Sequence, residues 1–148
     1  MFNLLGVTLL QPEAVVSARV PGGAQALASL IEDLRSELSE LYEAHTESGS
    51  RSLCLACGPD ERFELWLGSE DGQASAEERE QVTSLARRVR PPVVVAGPIA
   101  LALVYAVGSE APAEAQLSMP EEWRAIVQAS DSPLDVEQII TRIWSLTG

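Results

Sequence analysis

Two cysteines, Cys54 and Cys57, stand three residues apart and form the one pattern in the chain with a named chemistry. A closed zinc site needs four ligands, usually two such pairs or one pair with two histidines. The chain has no further cysteine, and its one histidine is His45, so a site would require dimerisation or carboxylate ligands. The surrounding residues predict a strand, which points residues three apart to opposite faces and supplies no helix N-terminus to activate a thiol. We therefore predict buried structural cysteines and no metal or cofactor; a metal shared across a dimer stays open.

His45 is a candidate general base, because imidazole titrates near neutral pH. It lies between Glu43 and Glu47, where a surface histidine stabilised by neighbouring acids and a helix end is the simpler interpretation. The sequence contains no Gly-x-Ser-x-Gly elbow, no phosphate-binding glycine loop and no His-Glu-x-x-His pattern. Residues 68–72 fit a connecting turn better than a calcium loop. We predict no catalytic residue and no enzyme; the competing hypothesis is an enzyme with an acidic site that acts with or without a metal.

The residues most suggestive of function are carboxylates on one predicted helix, where several follow one another at three- and four-residue steps. Like charges at these spacings repel by about a few tenths of a kcal/mol each. Such a series serves solubility or is neutralised by a basic partner. Trp66 is a second candidate contact on the outward face of a predicted strand, although a C-terminal helix covering it is the alternative. The candidate partner-binding residues are Asp33, Glu37, Glu40, Glu43, Glu47 and Trp66.

The composition limits the classes of partner. The chain has 148 residues with 22 acidic and 10 basic side chains, for a formal net charge of -12. This balance argues against nucleic acid and against anionic membrane surfaces, since both need basic clusters. Residues 1–10 lack the basic start of a signal peptide, and the apolar run 91–108 is too short and broken to span a bilayer comfortably. These features predict a soluble, cytoplasmic protein.

Four segments have the apolar spacing or the cap of a helix. Apolar residues recur at three- and four-residue steps over residues 24–44. Ser75 with Glu78 matches a capping box that opens a second helix. Pro120 opens a short third helix, and residues 132–135 match another capping box with proline at the first helical position. The sequence therefore predicts three to four helices.

Short apolar runs predict the strands. A weak strand is predicted over residues 2–10, and residues 52–57 and 62–69 flank a Gly-Pro-Asp turn that is typical of a hairpin. Residues 93–95 and 99–107 predict one interrupted strand or a tight hairpin. Both faces of 99–107 are apolar, which indicates a central strand whose alanine face lets a helix approach closely.

This order of elements predicts a single α+β domain over residues 1–148, with a largely antiparallel sheet of three to five strands packed against the helices. The aromatic fraction is 5%, so aliphatic side chains must build most of the core. Trp123 and Trp144 lie on apolar helix faces and are predicted to belong to that core. The chain shows no internal repeat and no linker long enough to divide it.

Two functional hypotheses follow. The first is a non-enzymatic acidic binding protein (an inhibitor, an immunity-type antidote or a secretion chaperone) that engages a basic or partly unfolded protein partner. The alternative is a structural assembly or envelope-associated domain that forms homo-oligomers, such as a homodimer, through its sheet. For that alternative the predicted pairing strand is 92–107, with Ala102 and Val104 at the contact.

Overall fold

One antiparallel sheet organises the chain. The computed structural model describes residues 2–44, 49–69, 74–108 and 117–147. The four strands of the sheet are β1 (Phe2–Leu9), β2 (Gly49–Cys57), β3 (Phe63–Ser69) and β4 (Ile99–Val107). Their spatial order is β1-β4-β2-β3 and every neighbouring pair is antiparallel. The predicted hairpin is therefore β2 with β3, and the predicted central strand is β4.

Helices cover both faces of the sheet. They are α1 (Glu13–Arg19), α2 (Gly23–Glu43), α3 (Ala76–Thr83), α4 (Glu121–Gln128) and α5 (Val136–Thr147), and a 3₁₀ turn over Ser84–Arg87 follows α3. Side chains of α1, α2 and α3 pack on one face, and those of α4 and α5 on the other. The predicted α+β fold is confirmed. Within the described ranges no single helix is long and apolar enough to cross a bilayer. Helices α1 and α2 reach the required length and hydropathy only when they are taken together, and the chain bends by 94° between them.

The alternation of side chains along β4 explains how both faces are filled. Leu101 and Leu103 point into the core under α2, whereas Ala100 and Ala102 point to the opposite core. The small alanine face leaves room for Ile140 of α5, which is fully buried there. A central strand with two apolar faces is confirmed, because every residue of β4 is buried.

The sequence interpretation of residues 93–95 as strand is wrong. The backbone N–H of Val95 donates to the carbonyl of Arg19 at 2.9 Å, so this segment runs beside α1 and joins no ladder. Positive φ values at Ala96 (69°) and Gly97 (148°) then turn the chain into β4. Helix α1 itself was not predicted, because seven residues between two prolines give too short an apolar period to recognise.

The two predicted caps have different outcomes. Ser75 caps α3 as predicted, since its Oγ accepts from the N–H of Glu78 at 3.0 Å. The second capping box is formed by Asp135 and Gln138, whose side chains each accept from the other's backbone N–H at 2.8 and 2.9 Å. Helix α5 therefore begins at Val136, later than the predicted start at Ser132-Pro133.

The strand predicted for homo-oligomer pairing is not available for pairing. Strand β4 lies between β1 and β2, so both of its edges are already hydrogen-bonded. Ala102 is 0% exposed and Val104 is 3% exposed, which excludes them from a contact between two folded copies. The edges of the sheet are β1 and β3.

Candidate functional site

An open groove of about 630 Å³ runs between α2 and the helical segment formed by α3 and its 3₁₀ turn. Its walls carry the carboxylates of Glu37, Glu40, Glu77 and Glu80, and Leu41, Ala44 and Leu85 add apolar surface. Arg88 is the single cation among the described residues that line it. We call this feature, with these eight residues, the acidic groove.

The carboxylates of α2 lie away from the sheet, because the opposite side of the helix packs in the core. Leu30, Leu34 and Leu38 recur every four residues and are buried against the sheet. Positions three and four residues apart share one face of a helix, so Glu37 and Glu40 fall together on the flank beside α3. Glu37 is 28% exposed and lies 3.5 Å from Arg88, an ion pair that bridges the groove.

A buried ionic cluster holds α3 in place as the second wall. Arg51 on β2 donates from Nε to Glu78 Oε2 at 2.7 Å and from Nη2 to Glu78 Oε1 at 3.1 Å. The hydroxyl of Tyr42 on α2 donates to the same carboxylate at 2.6 Å and lies 2.9 Å from the hydroxyl of Tyr105. Arg51 and Glu78 are both buried. The cluster therefore joins α2, α3, β2 and β4 at one point.

Burial and hydrogen bonding raise the pKa values of three residues in this cluster. Burial raises the pKa of Tyr42 far above its usual value, and the neighbouring Tyr105 and Glu78 raise it further. Burial also raises the pKa of Tyr105. Burial alone would lower the pKa of Arg51, but the hydrogen bonds and charge of Glu78 raise it overall. The tyrosines are therefore neutral and Arg51 stays charged at neutral pH, which is the arrangement of a structural link.

The structure divides the sequence-predicted carboxylates. Glu37 and Glu40 line the acidic groove, whereas Asp33 and Glu43 are exposed on α2 and do not line it. Glu47, like His45, lies outside the described residues. Sequence reasoning missed Glu77 and Glu80, whose three-residue spacing on the polar side of α3 was the available signal. What the sequence did not show is that this side of α3 faces α2.

Trp66 does not contact solvent and is therefore not a partner-binding residue. It is 3% exposed, and its ring packs edge-on against that of Trp123 on α4, with 5.4 Å between the ring centroids. The alternative interpretation, that a C-terminal helix covers this strand, is the observed one. Trp123 is buried as predicted, and Trp144 packs at the border of the same core.

The two cysteines are free and buried, as predicted. Cys54 belongs to the core under α4 and α5, and Cys57 to the core under α1, α2 and α3, because they point to opposite faces of β2. Burial raises the pKa of each thiol to about 12. Neither thiol reaches the surface, so a second copy of the folded chain cannot share a metal with them. Among the described residues no group of three or more His, Cys, Asp or Glu side chains is placed to hold a metal ion.

Comparisons with protein-family models, with curated proteins and with solved structures found no match to this chain.

Proposed function

We propose that the protein is a non-enzymatic binding protein that holds a basic segment of a partner protein in the acidic groove. We assign it, as part of the same proposal, to the inhibitors, immunity-type antidotes or secretion chaperones and to the cytoplasm. The observation that carries the proposal is the convergence of four carboxylates from two helices on one groove, opposed by one guanidinium.

Electrostatics supports a cationic occupant. The whole chain carries a net charge of -12, which attracts a basic protein at long range and raises its association rate. Within the groove, carboxylates from both walls face the same space, so a bound guanidinium or ammonium is reached from two sides. Charge complementarity of this kind gives specificity and speed of association more than raw affinity.

The apolar surface of the groove restricts further which partner segments can fit it. Leu41 is half-buried and Ala44 is exposed, and both lie among the carboxylates. A segment that alternates Arg or Lys with a leucine or isoleucine matches both the charges and this surface. A purely polar polycation leaves the apolar surface uncovered and gains nothing from its burial.

The test uses a fluorescently labelled peptide that alternates arginine and leucine and whose anisotropy reports binding. The variant Glu40→Gln/Glu80→Gln removes one carboxylate from each wall. We expect it to weaken binding about tenfold, the effect of about 1.4 kcal/mol spread over two exposed charge contacts. Raising the salt concentration should weaken binding to the unmodified protein and should affect the variant less.

A matched control separates the groove from the overall charge. Asp33→Asn/Glu43→Gln makes the same change in net charge at two exposed positions of α2 outside the groove. We expect it to change the affinity by less than about threefold, since contact distance and not net charge sets the effect. Equal weakening by both double variants would contradict a groove and would leave only nonspecific attraction.

One observation favours a second candidate, a homo-oligomer formed through the sheet. Strand β1 is an edge strand without a charged residue, and Val7 and Leu9 on it are 41% and 40% exposed. An uncharged edge of this kind can pair with another strand. Light scattering that gives a salt-insensitive dimer, lost in Val7→Arg but kept in Val93→Arg, supports this candidate. A monomer at every concentration excludes it.

A further inference from the structure

A second concavity lies on the other side of α3, and its chemistry is opposite to that of the acidic groove. It has a volume of about 430 Å³ and is bounded by the end of β3, by α3 and by one side of α4 along its whole length. Two arginines, Arg79 and Arg124, line it together with Glu121. We propose that this arginine cavity binds the carboxylate of a small organic acid with a short apolar chain. The inference stands independently of the acidic groove.

The close approach of the chain to β3 forms one end of the cavity. Ser118 donates its backbone N–H to Ser52 Oγ at 2.8 Å, which holds the segment before α4 against the sheet. It crosses Gly68 so closely that a Cβ there would overlap the carbonyl oxygen of Ser118. The next residue, Met119, then forms part of the cavity wall. The exposed Ala125 adds apolar surface to that of Met119.

Two donor hydrogens beside the cavity have no acceptor among the described residues. The Nε of Arg79 is buried and no described group accepts its hydrogen. The one described ion-pair partner of Arg79 is Glu121, which is 80% exposed and lies 3.4 Å away. Ser69, which is buried, accepts from the N–H of Ala74 at 3.1 Å, and no described group accepts its own hydroxyl hydrogen.

The balance of charge selects an anion of low charge. The chain has ten basic residues against twenty-two acidic ones, yet two guanidiniums meet one carboxylate here. A monocarboxylate neutralises this local excess and accepts hydrogen bonds from planar guanidinium groups, which match carboxylate geometry. Its apolar chain would cover Met119 and Ala125. Cavities of this size accept small molecules.

The probe is hexanoate, titrated into the full chain and followed by amide NMR, with hexanamide as the neutral molecule of equal length. We expect hexanoate to shift the signals of Gly68, Ser69 and Arg79 with a dissociation constant on the order of 1 mM. Hexanamide should bind at least about tenfold more weakly, because it lacks the charge that the arginines recognise. Equal binding of the two probes, or shifts confined to other regions, would overturn the proposal.

Variants separate the cavity from general charge effects. Arg79→Gln and Arg124→Gln should each weaken hexanoate binding about fivefold, whereas Arg142→Gln removes an exposed arginine of α5 and should leave it unchanged. Ala125→Phe fills the cavity without changing a charge and should abolish binding even if an arginine variant unfolds. Loss of binding in Arg142→Gln equal to that in Arg79→Gln, or full binding in Ala125→Phe, would refute the site.

The same titration distinguishes the two sources of such a carboxylate. Acetyl-Ala-Ala-Leu with a free C-terminus presents the carboxylate of a peptide, and its C-terminal amide is the control. Tighter binding of this peptide than of hexanoate would overturn the small acid as the ligand and assign the site to a protein C-terminus. Tighter binding of hexanoate assigns it to a free small acid.

Discussion

Helix α3 separates two concavities that differ in the sign of their charge. On the side of α2, the acidic groove carries four carboxylates and one arginine. On the side of α4, the arginine cavity carries two arginines and one carboxylate. Consecutive residues of α3 produce this difference, because each step along a helix turns the side chain by about 100°. Glu77 and Glu80 point to the groove, Arg79 lines the cavity, and Glu78 enters the core.

The difference between the two concavities shows that the net charge of a chain does not predict the charge of each site on its surface. A chain with a net charge of -12 still brings two of its ten arginines to one cavity. Within a Debye length, which is about 8 Å at physiological salt, the local groups decide which ion is attracted. The two concavities also share a wall, so a change that moves α3 must alter both.

The largest effect is expected from Glu78→Ala, which removes the link between α3 and the sheet. Arg51 is then left buried and charged without its partner, a situation that costs about 3–5 kcal/mol. Urea unfolding measures the loss, and both binding activities should weaken together because α3 shifts. The double variant Arg51→Met/Glu78→Leu should lose much less stability than the sum of the losses in the single variants Arg51→Met and Glu78→Leu. Additive losses would show that the cluster does not couple α3 to the sheet.

Trp123→Ala should lower the free energy of unfolding by about 3 kcal/mol. This loss is at the low end of the range for replacing a buried tryptophan by alanine. Trp123 Nε1 is buried without a hydrogen-bond partner among the described residues, so the substitution also removes an unsatisfied donor. Because α4 bounds only the arginine cavity, hexanoate binding should fall while binding of the basic peptide persists. Loss of both activities in folded protein would contradict the separation of the two concavities.

Arg88→Gln should tighten binding of the basic peptide about threefold. The substitution removes the one cation of the acidic groove and frees Glu37, at the cost of one exposed ion pair of small energy. Fluorescence anisotropy at low salt measures the change. Arg87→Gln, an exposed neighbour outside the groove lining, is the matched control and should have less effect. Weaker peptide binding in Arg88→Gln would mean that the arginine contacts the peptide favourably.

The smallest effect is expected from Glu64→Gln, on the sheet face that α4 and α5 cover. Burial raises the pKa of Glu64, although a hydrogen bond from Trp144 Nε1 at 3.2 Å opposes the rise. A raised folded-state pKa means that the contribution of Glu64 to stability falls as pH rises through it. Glutamine can accept the same hydrogen bond without a charge, so the variant should be more stable at neutral pH. The gain should be below about 1 kcal/mol, because the half-buried group is screened by solvent.

Chemical unfolding at several pH values checks this prediction. The gain from Glu64→Gln should vanish in acid, where the carboxyl is protonated in both the folded and the unfolded chain. A gain that is independent of pH would show that burial of the charge is not its cause.

The sequence predicted local structure well wherever one period or one cap dominates. The apolar steps of α2, the hairpin of β2 and β3, the Ser75 cap and the buried face of β4 were all recognisable. It predicted the site only in part, because Glu37 and Glu40 belong to the groove but Asp33 and Glu43 do not line it.

The features that the sequence did not show are contacts between elements that are distant in the chain and become neighbours only in the fold. Glu78 was interpreted as a capping-box residue, but its carboxylate pairs with Arg51, which lies 27 residues earlier in the chain. That long-range pair also explains why β2 begins at Gly49, before its apolar run, since Arg51 is neutralised inside the fold. Glu77, Glu80 and Arg79 gain their roles from the packing of α3 between α2 and α4, which no local pattern encodes.

The most direct test of the account is to map the basic peptide by amide NMR on the unmodified protein. We predict that its shifts cluster on α2 and α3 at the acidic groove, around Leu41, Glu80 and Leu85. Saturating hexanoate, which we place on the other side of α3, should not displace the peptide. Peptide shifts spread over the whole acidic surface, or centred on Asp33 and away from the groove, would contradict the central claim.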